Sequence, residues 1–553
     1  MKSNITRRSF LAGSAGIASL AALGGLAGCS PKTEDAEKGL PSQSSESDWL
    51  GQAPEIDAQS IVETLDTDIC IIGAGTAGML AGLRAHETGT NAIILDKHFT
   101  TRYGGADWSV FGSKAQKESG IPDYDPNEVM WSVSRESGFR NDMSLVGLWV
   151  ERSGEMLDNI LQFLKKDVDA GEFGVVISPN PPELSRNSSI TVIYDLAVCM
   201  SPDSDNSKRF AKCMAKRLDE SEFVEIKWST PAVRLMQDET NRVTGVIARN
   251  EQGEHIRINA SKGVIVCAGD FSGDKAMRDE FFVKRVAEAW TDGAYTAYME
   301  PEDLPSSDMI LNTGDGIKMC CWAGGVMSEE TSAYCSWCEG ELSFFPFLNV
   351  NQAGRRFMNE SVFYTATAPC IFEQPGGQDP FYWQVFDADY ATCGMPSLLA
   401  DGALGEQSVG AGRDAWIQAN TLEELAALMS KHSAIQMDAS VFEDEVKRYN
   451  DMCEAGFDSD FFKAAKFLKP IKNPPYYAAK YRPILAVSLE GVDVTRRCQV
   501  VDASGNPIPG LYGAGNTIGR RFGGTYSASV TGLTCGLAAT HGYCAVDFCL
   551  EDN

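Results

Sequence analysis

The sequence predicts an α/β fold built around a Rossmann-like nucleotide-binding domain. One observation is size: 43% of the 553 residues are apolar, enough for more than one core, because single cores stop growing near ~250–300 residues. The second is an apolar strand, a glycine-rich turn, a helix and another strand over residues 67–97. The third is a late apolar strand over residues 506–516 that ends in a further glycine-rich turn. We therefore expect a parallel sheet between helices and at least one further domain.

Residues 1–29 are predicted to be a targeting segment. Residues 6–11 read TRRSFL, a twin-arginine export signal, and a weakly hydrophobic run rich in Gly and Ala follows. The run ends in LAGC, which resembles the lipobox of bacterial lipoproteins, where the cysteine, here Cys29, is acylated. The alternative is an ordinary signal peptide cleaved nearby. Residues 30–60 are rich in Ser, Pro, Glu and Asp and are predicted to be a flexible tether. We expect a lipid-anchored protein on the periplasmic or cell-surface side of the cytoplasmic membrane.

The charge and the cysteine pattern exclude several functions. The formal net charge is −28, whereas nucleic-acid-binding proteins concentrate Lys and Arg on one face. The 16 cysteines include no C-x-x-C-H sequence for covalent haem and no four-cysteine run with iron–sulfur spacing. Cys335 and Cys338 are a lone C-x-x-C pair, interpreted as either a disulfide or two buried thiols. We predict no nucleic-acid partner and no metal site.

The strongest motif lies in residues 67–97, TDICIIGAGTAGMLAGLRAHETGTNAIILDK. A strand is predicted over residues 68–72, followed by the pattern G-x-G-x-x-G. The helix after it is predicted to end at Thr88, with Gly89 as its C-cap. A second strand, over residues 92–95, leads to Asp96. This order of elements, a strand, a glycine-rich turn, a helix and a second strand that ends in an acid, predicts a dinucleotide-binding site.

Each motif position has a physical reason. Gly73 permits the tight turn, Gly75 lets the backbone approach a pyrophosphate, and Gly78 allows close helix packing. The helix N-terminus stabilises phosphate charge, and Asp96 can accept from ribose hydroxyls. The cofactor-binding residues predicted here are Gly73, Ala74, Gly75, Thr76, Ala77, Gly78, Asp96 and Lys97.

The far end of the chain favours FAD over NAD. Residues 506–516, NPIPGLYGAGN, resemble the segment with which flavoproteins of the two-dinucleotide-binding-domain type return a late strand beside the first and reach the flavin ribityl. Residues 263–270, GVIVCAGD, resemble the strand and turn behind the adenosine half of the cofactor, and residues 234–258 alternate like a β-meander. The cofactor-binding residues predicted from these segments are Ala268, Gly269, Gly515 and Asn516.

These segments together resemble the fumarate reductase/succinate dehydrogenase flavoprotein superfamily, in the branch with 3-ketosteroid dehydrogenases, urocanate reductases and exported enone and enoate reductases. Further matching motifs are YGGADWSVFG, TGDGIKMCCWAG and GRRFMNE. The resemblance implies an FAD-binding domain formed by residues 61–290 and 482–553, with an α+β capping domain, residues 291–481, inserted between them. It also assigns to the cofactor Gly104, Gly105, Ser109 and Asp315.

The resemblance implies reduction of an activated C=C bond, which requires hydride from flavin N5, an acid and donors to the conjugated carbonyl. Fumarate reductases carry a catalytic arginine four positions after the glutamate of GRRFMNE. Here that position is Tyr364, which resembles the proton-handling tyrosine of ketosteroid dehydrogenases. A phenol stays protonated at neutral pH and suits this role. The alternative is a tyrosine of the cap packed by Phe357 and Phe363.

One further departure and two further resemblances concern the substrate. Fumarate reductases carry H-H-T-M-G-G where residues 485–491 here read LAVSLEG, so the histidines that clamp a dicarboxylate are absent and fumarate is disfavoured. Arg521 resembles the carboxylate-binding arginine of fumarate reductases. Tyr526 resembles the tyrosine that donates to the ketone in ketosteroid dehydrogenases. Arg521 facing flavin or solvent is the alternative.

No second dinucleotide motif for a nicotinamide is found, so a separate membrane cytochrome or flavin-bearing subunit is the predicted electron donor. The leading hypothesis is an exported FAD-dependent reductase of unsaturated carbonyl or carboxylate compounds in anaerobic respiration. One rival is a dehydrogenase that runs the reverse desaturation. Another is a non-catalytic flavolipoprotein that binds a ligand or carries electrons.

Overall fold

The fold is known for most of the chain after residue 47. The computed structural model describes residues 48–100, 107–177, 194, 196–199, 204–289, 312–329, 334–338, 347–362, 370–376, 380–390, 413–481, 483–527 and 529–553. The predicted signal and Cys29 lie outside the described residues, as do Gly104, Gly105 and Tyr364.

The described residues form both strands and helices along the whole of this range. The strands are β1 Ile61–Ile72, β2 Ala92–Leu95, β3 Asp107–Ser109, β4 Ala197–Cys199, β5 Val224–Lys227, β6 Ala232–Gln237, β7 Val243–Arg249, β8 His255–Val266, β9 Tyr334–Cys338, β10 Leu348–Val350, β11 Tyr382–Phe386, β12 Arg413–Ala419, β13 Tyr476–Tyr481, β14 Pro483–Ser488, β15 Gln499–Val501 and β16 Pro507–Gly513. The helices are α1 Thr76–Thr88, α2 Lys114–Glu118, α3 Pro126–Glu136, α4 Met143–Phe163, α5 Lys165–Asp169, α6 Ser204–Asp219, α7 Lys275–Phe281, α8 Lys284–Ala289, α9 Asp315–Trp322, α10 Leu422–Ser430, α11 Ala439–Ala455 and α12 Leu533–Glu551. Short 3-10 helices cover Ala58–Ser60, Ala465–Phe467 and Gly515–Thr517.

The main sheet has eight strands, and its central path runs β15-β16-β8-β1-β2-β5. The strands from β16 to β5 are parallel, with Ile71 paired to Ile94 on one side and to Ile265 on the other. The meander β6-β7 joins the first half of β8 in antiparallel pairing. The late strand β16 therefore lies next but one to β1, and the predicted α/β class with a parallel sheet is confirmed.

The local sequence explains how the first unit forms. All residues of β2 are buried, as expected for a parallel strand covered on both faces. Helix α1 ends at Thr88, and Gly89 adopts φ 65°, the left-handed C-cap that its sequence predicts. Helix α12 packs closely on α1 at Gly542, where an added Cβ would lie 2.0 Å from the carbonyl oxygen of Ala77.

A second, antiparallel sheet has the order β10-β11-β13-β12. Its apolar face packs on α10 and α11, with Trp383, Leu425 and Phe442 fully buried in that core. These strands fall within the stretch predicted as the capping domain. The domain boundaries themselves stay predictions.

The segment before β1 packs on the body of the protein. The rings of Trp49 and Phe281 meet edge to face at 5.0 Å, and the indole nitrogen of Trp322 donates to the carbonyl of Leu50 at 3.2 Å. Residues 48–60 thus make tertiary contacts although their composition predicted a tether. In the part of the chain that the structure describes, no helix combines the length and apolarity needed to cross a bilayer.

Candidate active site and cofactor cradle

Two glycines at the junction of β1 and α1 have no room for a side chain. Gly73 has φ 102°, and a Cβ there would lie 2.4 Å from the carbonyl oxygen of Cys267. A Cβ at Gly78 would lie 1.8 Å from the carbonyl oxygen of Gly73. Helix α1 begins after Gly75 with no side chain capping its first N–H groups. Uncapped donors at a helix N-terminus fit a pyrophosphate.

Asp96 fixes the turn from the end of β2. One carboxylate oxygen accepts from the backbone N–H of Ala74 at 2.7 Å, and the other accepts from the N–H of His98 at 2.8 Å. These two bonds fix the orientation of the Asp96 carboxylate, which has about four acceptor sites, beside the glycine-rich turn. The bond to Ala74 was not foreseen, although both residues belong to the motif.

Lys97 and Asp315 were predicted separately and lie together. The Lys97 ammonium donates to the Asp315 carboxylate at 2.9 Å and to the Thr313 hydroxyl at 2.7 Å. Partial burial alone would raise the pKa of Asp315, but the charge of Lys97 lowers it below the usual value. The pair joins the end of β2 to the start of α9 and remains a candidate for the adenosine side of the cofactor.

The turn that follows β16 lies against helix α1. Gly515, with φ 67°, lies so close to α1 that a Cβ would be 3.0 Å from the Cβ of Ala77. Its neighbour Thr517 donates to the carbonyl of Gly269 at 3.1 Å, beside Ala268 at the end of β8. Three predicted segments, from β1, β8 and β16, therefore meet at one edge of the sheet.

Ser109 lies where α12 begins. It is fully buried, its N–H donates to the carbonyl of Gly532 at 3.0 Å, and its carbonyl accepts from the indole of Trp149 at 2.9 Å. The Ser109 hydroxyl has no hydrogen-bond partner within the described ranges. Because a buried hydroxyl normally has a partner, this atom fits contact with a bound group.

Arg521 and Asn516 follow the Gly515 turn. Arg521 is fully buried, and its guanidinium donates to the Asn516 side chain at 2.9 Å and to the Ile518 carbonyl at 3.1 Å. Burial raises the pKa of the nearby Asp270 to about 6, although hydrogen bonds to Ser272 and the charge of Arg521 oppose this. The predicted contact between Arg521 and a substrate carboxylate stays a prediction.

Tyr526 is half-buried on the same loop. Its ring stacks on Phe522 with centroids 4.9 Å apart, and its hydroxyl accepts from the N–H of Thr534 in the first turn of α12 at 3.4 Å. The loop therefore brings a phenol to the helix end beside Ser109. Its predicted role in donating to a substrate carbonyl stays a prediction.

The GRRFMNE segment contributes Arg356 and Glu360 to the protein interior. Arg356 forms a two-pronged ion pair with Glu360 at 2.9 and 2.8 Å and reaches Asp458 at 2.8 Å. Lys463 lies 3.3 Å from Glu360, and all four side chains are fully buried. Burial alone would raise the pKa of Glu360, but the Lys463 and Arg356 cations hold it below its usual value. Tyr364 itself lies outside the described residues.

Sequence reasoning missed the partners that come from far along the chain. Asp458 is 102 positions from Arg356, and no motif marks it. Thr517 was also missed, and the signal in the sequence that could have indicated it is its place next to the predicted residue Asn516.

Comparisons with known proteins agree with this geometry. A family model described as an FAD binding domain matches residues 68–533. A digoxin reductase from Eggerthella lenta is 24% identical, covering 94% of this chain and 92% of that protein. A urocanate reductase from the same species is 25% identical, covering 83% of this chain and 71% of that protein. The structure of a 3-ketosteroid-Δ4-(5α)-dehydrogenase from Rhodococcus jostii RHA1 has a TM-score of 0.65 at 20% identity, covering 89% and 99% of the two chains, and shares the fold.

Proposed function

The chain belongs to the FAD-binding family within the fumarate reductase/succinate dehydrogenase flavoprotein superfamily and is an FAD-dependent oxidoreductase of CH–CH bonds; from this premise we propose that it reduces the activated C=C bond of an α,β-unsaturated carbonyl or carboxylate compound. Named reductases of digoxin and urocanate among its relatives support this direction. The predictions of superfamily, fold class and FAD are confirmed.

The observation that carries the proposal is the path of the chain from Gly515 to Tyr526. It begins against the first turn of α1 and continues through a buried arginine to a half-buried phenol. Bound FAD supplies the hydride. In the proposal, the hydroxyl of Tyr526 donates to the substrate carbonyl, Arg521 binds a carboxylate where one is present, and Tyr364 delivers the proton to carbon.

The positions of the histidines support an unsaturated substrate other than fumarate. The chain has five, and none lies in residues 485–491 or 518–530. His541 is buried inside α12, with its Nε2 atom 3.0 Å from the carbonyl of Leu145. His432 lies beside the ring of Trp383. A histidine clamp for a dicarboxylate has no residues in these segments.

Export, lipid anchoring at Cys29 and respiration are parts of the same proposal, supported by the twin-arginine sequence. A membrane cytochrome or flavin-bearing subunit would then reduce the flavin, because an exported enzyme has no access to the cytoplasmic NADH pool. Anaerobic stopped-flow mixing of the FAD-loaded chain with NADH tests this part. Rapid bleaching of the flavin absorbance would contradict it.

An anaerobic screen tests the reaction. The FAD-loaded chain, with viologen as reductant, is assayed against enones, cinnamates, steroids, urocanate and fumarate. We expect viologen oxidation with at least one enone or enoate and a much slower rate with fumarate. No oxidation above the level of FAD-free protein with any compound would refute the proposal and favour a flavoprotein that only binds ligands or carries electrons.

The role of Tyr364 has its own test. Tyr364→Phe should leave FAD bound and lower turnover by ~10²-fold or more, because the proton for the neighbouring carbon is lost. Phe357→Leu is the control for packing and should keep turnover within a few-fold. Unchanged turnover in Tyr364→Phe would contradict the role.

The reverse desaturation of a ketone is the second candidate, since the Thr525-Tyr526 pair resembles the ketosteroid dehydrogenases and the same residues serve both directions. An artificial acceptor with a saturated ketone, compared with viologen and the matching enone, decides the direction. Faster turnover with the acceptor would favour the dehydrogenase.

A further inference from the structure

We propose that Glu136 is a positioning residue for the Tyr526 loop, defined as the described part of residues 518–530, and that it sets substrate affinity without contacting substrate. The inference rests on the proposed function, because it takes Tyr526 to contact the substrate. No motif singled out Glu136, which is the last residue of α3.

The Oε2 atom of the Glu136 carboxylate makes two hydrogen bonds to the end of the loop. This Oε2 atom accepts from the hydroxyl of Ser527 at 2.6 Å and from the backbone N–H of Ser529 at 3.0 Å. Both serines are buried, with 1% and 0% of their surface exposed. The shorter distance is typical of a hydrogen bond to an ionised carboxylate, which is about twice as strong as a neutral one.

The corner between α3 and α4 also holds the start of the loop. The N–H of Asp142 donates to the carbonyl of Arg520 at 2.6 Å. Gly523 has φ 69°, and a Cβ there would lie 2.5 Å from the carbonyl carbon of Arg140. Tyr526 therefore lies between two attachments that both come from residues 136–142.

The stability of helix α3 does not account for an acidic residue at position 136. Glu136 occupies the last turn of α3, where the helix dipole disfavours a negative charge. The neighbouring Arg135 provides the basic charge of that turn. The carboxylate of Glu136 does contact Ser527 and Ser529, which follow Tyr526 closely in the chain.

The dependence on Glu136 has a mechanical reason. Loss of both bonds removes two attachments on the C-terminal side of Tyr526, where the N–H of Tyr194 still donates to the carbonyl of Ser529 at 3.0 Å. The Tyr526 hydroxyl is then held less firmly relative to the cofactor turn. A misplacement of ~1 Å can cost ~10²-fold in activity. The cradle of Gly73 and Gly78 is built from other elements and should keep FAD.

The test compares Glu136→Ala, Glu136→Gln and Ser527→Ala with Asp547→Asn. Asp547 is the matched control, because its carboxylate also bridges two groups, Arg84 at 2.7 Å and Arg152 at 2.9 Å, away from the loop. Each holoprotein is measured for FAD content, melting temperature, and hydrogen exchange of peptides containing Ser527. KM and kcat are measured with viologen and the best substrate of the screen.

We expect Glu136→Ala to accelerate exchange in the loop and to raise KM by ~10- to 100-fold, with FAD content unchanged. Glu136→Gln, which keeps an acceptor oxygen, should recover part of both effects, and Ser527→Ala should show a smaller effect than Glu136→Ala. Asp547→Asn should change neither quantity.

Three results separate the failures. Unchanged exchange in both Glu136 variants overturns the proposal whatever the activity. Faster exchange with unchanged KM overturns the link between loop position and substrate affinity. If the wild-type chain turns over no compound, the proposed function fails, while the exchange comparison still decides whether Glu136 holds the loop.

Discussion

Gly78→Ala is the sharpest test of the cofactor cradle. The added Cβ would lie 1.8 Å from the carbonyl oxygen of Gly73 and 3.4 Å from a methyl group of Ile71. Since ordinary contacts lie near ~3.5 Å, α1 has to move by more than about 1 Å from the turn. That movement displaces the N–H groups that are proposed to face the pyrophosphate. Overpacking of this kind costs about 1–3 kcal/mol.

The displacement should also lower FAD affinity. Loss of one hydrogen bond to a charged phosphate removes about 1.5–3 kcal/mol, which raises the Kd for FAD by ~10- to 150-fold, measured by titrating apoprotein with FAD and following flavin fluorescence. The melting temperature of the apoprotein reports the packing cost separately. Gly147→Ala is the matched control, because Gly147 lies inside α4 and the nearest atom to a Cβ there is 3.9 Å away. Alanine in a helix interior should stabilise it by ~0.5–1 kcal/mol.

One result would refute this reasoning. If Gly78→Ala binds FAD with wild-type affinity and melts at the wild-type temperature, α1 tolerates the displacement and the turn is not the cradle. A loss of stability with unchanged FAD affinity would assign Gly78 to packing alone.

Three further predictions follow from the buried charges and the loop. Burial lowers the pKa of His541 to about 4, so the folded protein favours the neutral imidazole. The free energy of unfolding that this contributes is fully present above pH ~6.5 and falls by ~2 kcal/mol by pH 5. Urea unfolding of His541→Gln should lack that part of the pH dependence, and equal slopes in both proteins would contradict it. Glu360→Gln leaves two buried cations, Arg356 and Lys463, with Asp458 but without the Glu360 carboxylate and should cost about 3–5 kcal/mol, whereas Asp451→Asn, in an exposed pair with Lys447, should cost less than ~1 kcal/mol. Similar costs for the two variants would contradict the buried network. Tyr526→Phe should raise KM for an enone by ~10-fold or more with FAD content unchanged, and an unchanged KM would remove Tyr526 from the substrate.

The sequence predicted best what neighbouring residues determine. The strand over residues 92–95 and the end of α1 at Gly89 match the structure, because an apolar run and a left-handed glycine act locally. Part of the turn could be predicted for the same reason, since the contact between Gly78 and the carbonyl of Gly73 lies within the G-x-G-x-x-G motif, whereas Gly73 packs against Cys267 at the end of a distant strand. Asp96 was foreseen as an acceptor but not as the partner of Ala74, which depends on how closely β2 approaches the turn.

What could not be predicted depends on tertiary pairing. Lys97 meets Thr313 across 216 positions, and Glu136 meets Ser527 across 391, with no spacing rule to connect them. Residues 48–60 have the composition of a linker, yet Trp49 finds an aromatic partner in Phe281. Composition predicts the behaviour of an isolated segment, whereas these contacts depend on which surfaces of the folded protein lie next to it.

The two halves of the candidate site are held by different kinds of interaction, and this has a consequence for specificity. The proposed cofactor turn depends mainly on glycines packed against backbone atoms, together with the carboxylate of Asp96, and few substitutions preserve this geometry. The Tyr526 loop depends to a larger extent on side chains, the carboxylate of Glu136 and the hydroxyl of Ser527, together with a glycine at position 523 and a backbone bond from Asp142. Substitutions in the second set should change which unsaturated compound is bound while FAD affinity is kept. A shared fold at low identity is consistent with such a division, since under the proposal the cofactor-binding part tolerates little change and the substrate-binding part tolerates much.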